Sequence, residues 1–309
     1  LDFLLKLYDD VKARGFTMQF WGDIILHHPE LVDQLPKDLI ALSWGYEADH
    51  PFEEEGAQFA EAAVPFYVCP GTSSWNSLAG RTDNALGNLS NAAENGLKYG
   101  AVGYLNTDWG DRGHWQVLPV SYLGFAMGAA YSWNLKTSRP CNVRALVSQF
   151  AFDDPTGAMG KVAYDLGRAH HAIGIKIHNS TPLFWGLQPG WLDRIMEEYG
   201  EKVNPDVVHE TLRAIDEAMA PLDKAQMARP DTDLIKREYR NTARMMRHAC
   251  KRLLLFLDPN VEREALRAEL ATDLEEIIKE YRALWLARNR PGGLSDSIAR
   301  LEALRSDYA

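Results

Sequence analysis

The chain has 309 residues, of which 46% are hydrophobic and 25% charged, with 43 acids against 33 bases and a formal net charge of −10. That length allows one large domain or two medium ones around a sizeable buried core. The acidic balance argues against nucleic-acid or anionic-membrane partners, and the longest apolar run, Val117 to Trp133, is interrupted by Gly, Ser and Pro and falls short of the roughly 20 clean residues of a membrane span.

No signal-peptide pattern opens the chain. Cys69, Cys141 and Cys250 make an odd, sparse set with no disulfide framework and no CxxC spacing, which predicts a reducing, cytoplasmic location. The chain starts inside a helical pattern without an initiator Met and reads as a piece of something longer.

Residues 1–15 place Leu1, Leu4, Leu5, Tyr8 and Val11 on one helical face and stop at Gly15. Phe16 to Trp21 predicts a buried strand, Pro29 to Leu35 a short helix, and Leu39 to Trp44 a second strand. Phe52 to Ala63 predicts a helix whose acidic start suits the dipole. A third strand over Pro65 to Cys69 follows, then a helix over Asn84 to Tyr99 closed by Gly100. Ala101 to Leu105 predicts a fourth strand, and Pro119 to Trp133 a helix rich in small residues. Apolar strands alternating with helices imply parallel pairing with both faces covered. Four such units make either a small doubly wound sheet or half of a (β/α)8 barrel. No glycine-rich phosphate loop follows any strand, so nothing favours dinucleotide binding.

From about Pro140 the strand-like runs vanish. Helices are predicted over 141–151, 158–173, 190–199, 205–220, 231–257, 260–289 and 294–307, the two longest joined as a hairpin through Leu257-Asp258-Pro259-Asn260. This divides the chain into residues 1–139 and a helical region, 140–309. The basic run Arg244 to Arg252 reads as a solvated helix face.

Chemistry concentrates behind the strands. Each predicted strand delivers a tryptophan at or just past its C-terminal end: Trp21, Trp44, Trp75 and Trp109. Polar or acidic residues stand close by each: Asp23, Tyr46, Asn76, and Asp108 with Asp111. Ligands of parallel α/β folds bind at that edge. An aromatic box with carboxylates suits a sugar, whose C–H faces stack on indoles and whose hydroxyls donate to carboxylates. His27, His28, His50 and His114 also lie near strand ends, and a metal would need two or three of them with Asp23 or Asp111. No HxH or HExxH spacing supports that, so neither metal nor cofactor is expected.

Residues 16–134 resemble the second half of the catalytic barrel of family 20 glycoside hydrolases, the β-N-acetylhexosaminidases. Trp21-Gly22-Asp23 looks like the family's Trp-x-Glu/Asp after strand five, and Trp44 like the tryptophan after strand six. Trp75-Asn76 falls at the family's Trp-Tyr after strand seven, and Trp109-Gly110-Asp111 is similar to its Trp-Gly-Glu after strand eight. The helix ending Tyr131-Ser132-Trp133 resembles the one that follows strand eight. The resemblance implies strands five to eight of a TIM (β/α)8 barrel followed by an all-α region. It implies an exo-acting enzyme that removes a terminal amino sugar, with Trp21, Asp23, Trp44, Tyr46, Trp75, Asn76, Asp108, Trp109 and Asp111 binding substrate.

Two departures accompany it. The family's Asp-Glu pair, general acid and acetamido-orienting residue, belongs to strand four, ahead of Leu1. Asn76 stands where the family has the tyrosine that holds the acetamido oxygen, and Tyr46 or Tyr67 would have to substitute. A half barrel leaves open edges, so its missing half is expected from the same polypeptide, a separate chain or a second copy. The alternative is a non-catalytic carbohydrate-binding or subunit-interaction protein that retains the aromatic box.

Overall fold

A computed structural model describes residues 1–200 and 202–309. Four apolar runs form one parallel sheet: β1 (Gln19–Trp21), β2 (Ile40–Trp44), β3 (Phe66–Cys69) and β4 (Gly103–Tyr104), in the spatial order β1-β2-β3-β4. Phe20 pairs with Ala41, Leu42 with Tyr67 and Val68 with Tyr104. The outer strands are shorter than their apolar runs predict. Phe16, Val102 and Leu105 lie outside the ladder and are exposed, because β1 and β4 each have a partner on one side only among the described residues.

Helices flank the strands and intervene between them. They are α1 (Asp2–Ala13), α2 (Asp23–Leu26), α3 (Pro29–Val32), α4 (Phe52–Glu61), α5 (Thr82–Tyr99) and α6 (Leu118–Ser138), α2 among them without a sequence expectation. Gly15 and Gly100 follow α1 and α5 with φ of +79° and +73°, the left-handed stop that glycine takes without a Cβ penalty. Asn134 leaves helical geometry within α6, directly after the predicted end at Trp133. Among the described residues no helix is long and apolar enough to cross a membrane.

Beyond it come α7 (Val143–Phe150), α8 (Ala158–Leu166), α9 (Pro182–Trp185), α10 (Trp191–Tyr199), α11 (Pro205–Met219), α12 (Thr232–Leu257), α13 (Arg263–Arg288) and α14 (Leu294–Glu302). The helix expected over 158–173 stops at Leu166 and resumes as a 3-10 turn over Ala169–Ile173. The last predicted helix likewise becomes 3-10 over Ala303–Asp307. The unpredicted α9 has Thr181 as its N-cap, whose hydroxyl accepts from the Phe184 N–H, with Pro182 at the first helical position. Cross-hairpin pairs Arg237–Glu280, Arg244–Asp273 and Lys251–Glu269 run in opposite directions along α12 and α13, so the two are antiparallel.

Two compact units result. One comprises Leu1–Thr72, Asp83–Thr107 and Met127–Cys141; the other comprises Ser73–Thr82, Asp108–Ala126 and Asn142–Ala309. We call them the sheet unit and the helical unit. Residues 73–82 and 108–126, ahead of the division expected after residue 139, pack with the helical unit.

The sheet unit's core gathers Leu35, Leu39, Phe52, Phe59 and Phe66, with the Phe59 and Phe66 rings 5.8 Å apart. Trp115, Phe152, Phe184 and Tyr239 are fully buried in the helical unit. All three cysteines are free: Cys69 and Cys250 are buried, which pushes both thiols up to about 12, and Cys141 is exposed.

The basic run of α12 is not a solvated face. His248 and Arg252 are buried. His248 Nδ1 lies 2.7 Å from Asp273 and its Nε2 2.7 Å from the Tyr308 hydroxyl. Arg244 also donates to Asp273, at 2.5 Å, while Arg252 pairs with Asp307 and donates to the Gly186 carbonyl. Burial works against the Asp273 carboxylate, but the bonds from His248 and Arg244 hold its pKa below the usual range. Partners dozens of residues distant consume these charges, which a local reading of the run cannot see.

Candidate functional site

Trp21, Asp23, Trp44 and Tyr46 belong to the sheet unit. Trp21 ends β1 and is 42% exposed; Asp23 opens α2. Trp44 ends β2, its ring centroid 5.1 Å from that of Tyr46. Behind Trp44, the Ser43 hydroxyl donates to Glu55 at 2.6 Å, and the other Glu55 oxygen lies 3.0 Å from His50 Nε2. The His50 ring closes over Gly45, where a Cβ would come within 2.1 Å of it. Neither Ser43 nor Glu55 carried a sequence signal, since each sits in an ordinary strand or helix pattern.

Trp75, Asn76, Asp108, Trp109 and Asp111 belong to the helical unit. The loop that follows β3 is strained: Ser73, Asn76 and Leu78 have φ of +56°, +54° and +67°. Such left-handed non-glycine residues cost on the order of 1–3 kcal/mol each and persist only where surrounding bonds over-determine them. Those bonds are present. The Ser77 hydroxyl donates to the Ser74 carbonyl and accepts from the Gly80 N–H at 2.8 Å. The Asn76 carbonyl accepts from the Thr181 N–H at 3.1 Å and the Ser180 hydroxyl at 2.7 Å. Trp75 is 1% exposed, so its indole is closed to solvent, and Asn76 is buried with its side-chain oxygen lacking a hydrogen-bond partner.

This loop is tied to the one that follows β4. The Ser74 hydroxyl donates to Asp108 at 2.6 Å, and the Ser121 hydroxyl lies 2.8 Å from Ser74 Oγ and 3.0 Å from the second Asp108 oxygen. Trp109 remains 39% exposed, and its carbonyl accepts from the Gln116 amide at 2.5 Å. Asp111 opens a 3-10 turn and is exposed. The glycine of Trp109-Gly110-Asp111 has a steric reason: a Cβ on Gly110 would lie 2.5 Å from the His114 ring.

Asp108 and His114 line a cavity of about 110 Å³ together with Glu238, Tyr281, Trp285 and Arg288 of α12 and α13. Burial lowers the His114 pKa, against a smaller opposing effect of the Asp108 charge, so the imidazole favours its neutral form. Burial raises the Glu238 pKa, although Arg288 grips both its oxygens at 2.9 and 2.7 Å. Arg288 also donates to Asp231 at 2.8 Å. The cavity thus brings together a carboxylate held by hydroxyls, a neutral imidazole and two aromatic rings. Glu238 and Arg288 lie more than a hundred residues from Asp108, and only the helical periodicity around them was legible.

Among the described residues, no three His, Cys, Asp or Glu side chains are grouped to hold a metal ion. No family model and no curated protein sequence matches the chain.

Proposed function

We propose that the chain is part of a glycoside hydrolase of the β-N-acetylhexosaminidase type, contributing strands five to eight of a (β/α)8 barrel, a sugar-binding surface and a helical region. One observation carries the reading: the 2.6 Å bond from Ser74 to Asp108 joins the Trp75-Asn76 loop to the Asp108-Trp109 loop, so two of the four tryptophan motifs stand as one hydrogen-bonded construction. The sheet supports it. Strands that pair in sequence order, all parallel, suit a barrel segment, whereas a doubly wound sheet reverses its order at a switch point. The strained backbone beside Trp75 adds support, since such strain concentrates at ligand sites.

In this reading the half-exposed indole of Trp109 in the helical unit offers a face to the C–H surface of a sugar, and in the sheet unit the half-exposed indole of Trp21 offers a face of the same kind. Asp111 beside Trp109, and within the sheet unit Asp23 beside Trp21, each offer a carboxylate that accepts from sugar hydroxyls in charge-assisted bonds. No adjacent Asp-Glu pair follows any of the four strands. The acid that protonates the leaving oxygen, and the residue that orients a 2-acetamido nucleophile, would then come from outside residues 1–309. A reducing, cytoplasmic location is proposed on the three unpaired thiols.

The test is titration with N-acetylglucosamine followed by tryptophan fluorescence. Trp109→Ala should cost about 2–3 kcal/mol of binding, the loss of a stacked aromatic anchor. Unchanged affinity in a folded variant would remove Trp109 from the sugar site. Glycosidase activity by residues 1–309 alone that vanishes in Asp108→Asn would overturn the split between this chain and the acid.

A further inference from the structure

Helix α5 carries Asn84, Asn88, Asn91 and Asn95 at spacings of four, three and four residues, which places them along one helical face. A carboxamide offers both a donor and an acceptor and carries no charge, so it can bind peptide groups as another strand would. Three of the four bind the loop between β2 and α4. Asn84 donates to the Tyr46 carbonyl at 2.6 Å and accepts from the Ala48 N–H at 2.9 Å. Asn91 donates to the carbonyls of Ala48 and His50 at 3.2 and 2.8 Å. Asn88, with no exposed surface, donates to the carbonyls of Gly45 and Glu47 at 2.8 and 2.9 Å. It also accepts from the Gly71 N–H at 3.0 Å, so one side chain holds the loops behind both β2 and β3. Close approach is required, and Gly87 on the same face permits it: a Cβ there would lie 2.6 Å from Ala48 Cβ.

We infer that Asn88 is a positioning residue for sugar binding by the sheet unit, fixing the loop that sets the Trp44–Tyr46 ring pair without touching ligand. The inference rests on the glycosidase reading. Loop backbone left free in the unliganded protein must be ordered at the moment of binding, and that ordering is charged against affinity. Asn88 places the ordering in the folding step instead.

The experiment is a double-variant cycle on the chain with N-acetylglucosamine as probe. Asn88→Ala should weaken binding about tenfold, the cost of ordering one to two loop residues on binding. In a Tyr46→Ala background the further loss from Asn88→Ala should shrink to less than about twofold, because the group being positioned is gone. Asn91→Ala, which spares the buried hub, should show a smaller loss with the same dependence on Tyr46 and serves if Asn88→Ala fails to fold. Hydrogen exchange over residues 44–50 should quicken in either variant. Unchanged affinity of a folded variant whose melting temperature has dropped would make the ladder purely structural and overturn the inference. Equal losses with and without Tyr46 would also overturn it. A wild-type chain that binds no sugar would sink the glycosidase reading first, and the role given to Asn88 with it.

Discussion

The two units hold their polar interiors by different chemistry. In the sheet unit, neutral carboxamides bind the loop behind β2: six backbone groups between Gly45 and His50 pair with Asn84, Asn88 and Asn91. In the helical unit, charges bind charges: Glu238 and Asp231 on Arg288, Asp273 on Arg244 and His248, and Asp307 on Arg252. The difference follows from what must be held. A loop presents peptide groups, which an amide matches without a desolvated charge. Two long helices present side chains only, their own peptide groups being spent within the helix. Buried charges bring direction at a desolvation cost, and they become liabilities once a partner is lost. The sheet unit's clamp should therefore tolerate pH and salt, and the helical unit's should not.

Placing a charge in the neutral clamp is the strongest way to break that contrast. Asn88→Asp keeps the acceptor for Gly71 but sets a buried carboxylate against two carbonyls. We expect a loss of about 4 kcal/mol at neutral pH in urea unfolding, partly regained as pH falls and the carboxyl takes up its proton. A variant as stable as wild type at pH 7 would show the loop to be free to move away.

The converse change removes a charge from the charged clamp. Glu238→Gln preserves shape and one acceptor but leaves the Arg288 fork half matched, at a cost of about 2–3 kcal/mol by the same measurement. A neutral outcome would mean that Asp231 alone satisfies Arg288.

Acid titration separates the units next. Burial drives the His170 pKa from 6.5 to about 3, with the neighbouring His171 and Arg81 charges adding to it. The native imidazole is thus neutral. Below the unfolded pKa the unfolded chain takes the proton first, so stability is full above pH 6.5 and falls as pH drops towards 3. The slope approaches about 1.4 kcal/mol per pH unit for one proton. His170→Asn keeps a donor for the Gly167 carbonyl and should flatten the pH dependence of melting curves collected between pH 6 and 5. An undiminished slope would assign the acid sensitivity elsewhere.

The smallest effect belongs to the hairpin surface. Arg237 and Glu280 pair at 2.9 Å with both side chains substantially exposed. Solvent screening limits the pair to less than about 1 kcal/mol, so Arg237→Ala should barely shift the urea midpoint. A larger loss would mean that the outer face of α12 and α13 depends on charge as its inner face does.

The sheet was legible in the sequence because apolar runs of four to six residues have few other uses. Phe66 to Cys69 and Ile40 to Trp44 became strands almost to the residue. Edges were less so. Ala101 to Leu105 has the same composition but yields two paired residues, because ladder length depends on a neighbour that composition does not reveal. At the candidate site, the Asp108-Trp109-Gly110-Asp111 motif stood out by its residue types. Ser74, Ser121 and Glu238 did not, since a serine or a helical glutamate is ordinary until its partner is known. The α5 asparagines were visible at helical spacing all along. Their meaning required the loop they grip.

Cys141 is the one exposed thiol of the three, and it stands where the sheet unit's last segment ends and Asn142 begins the helical unit's longest. The other two thiolates are suppressed by burial. A maleimide at neutral pH will therefore label a single position without any engineered cysteine. A fluorophore there would make the last segment of the sheet unit an optical gauge, whose depolarisation reports in real time how that segment responds to sugar, acid or denaturant.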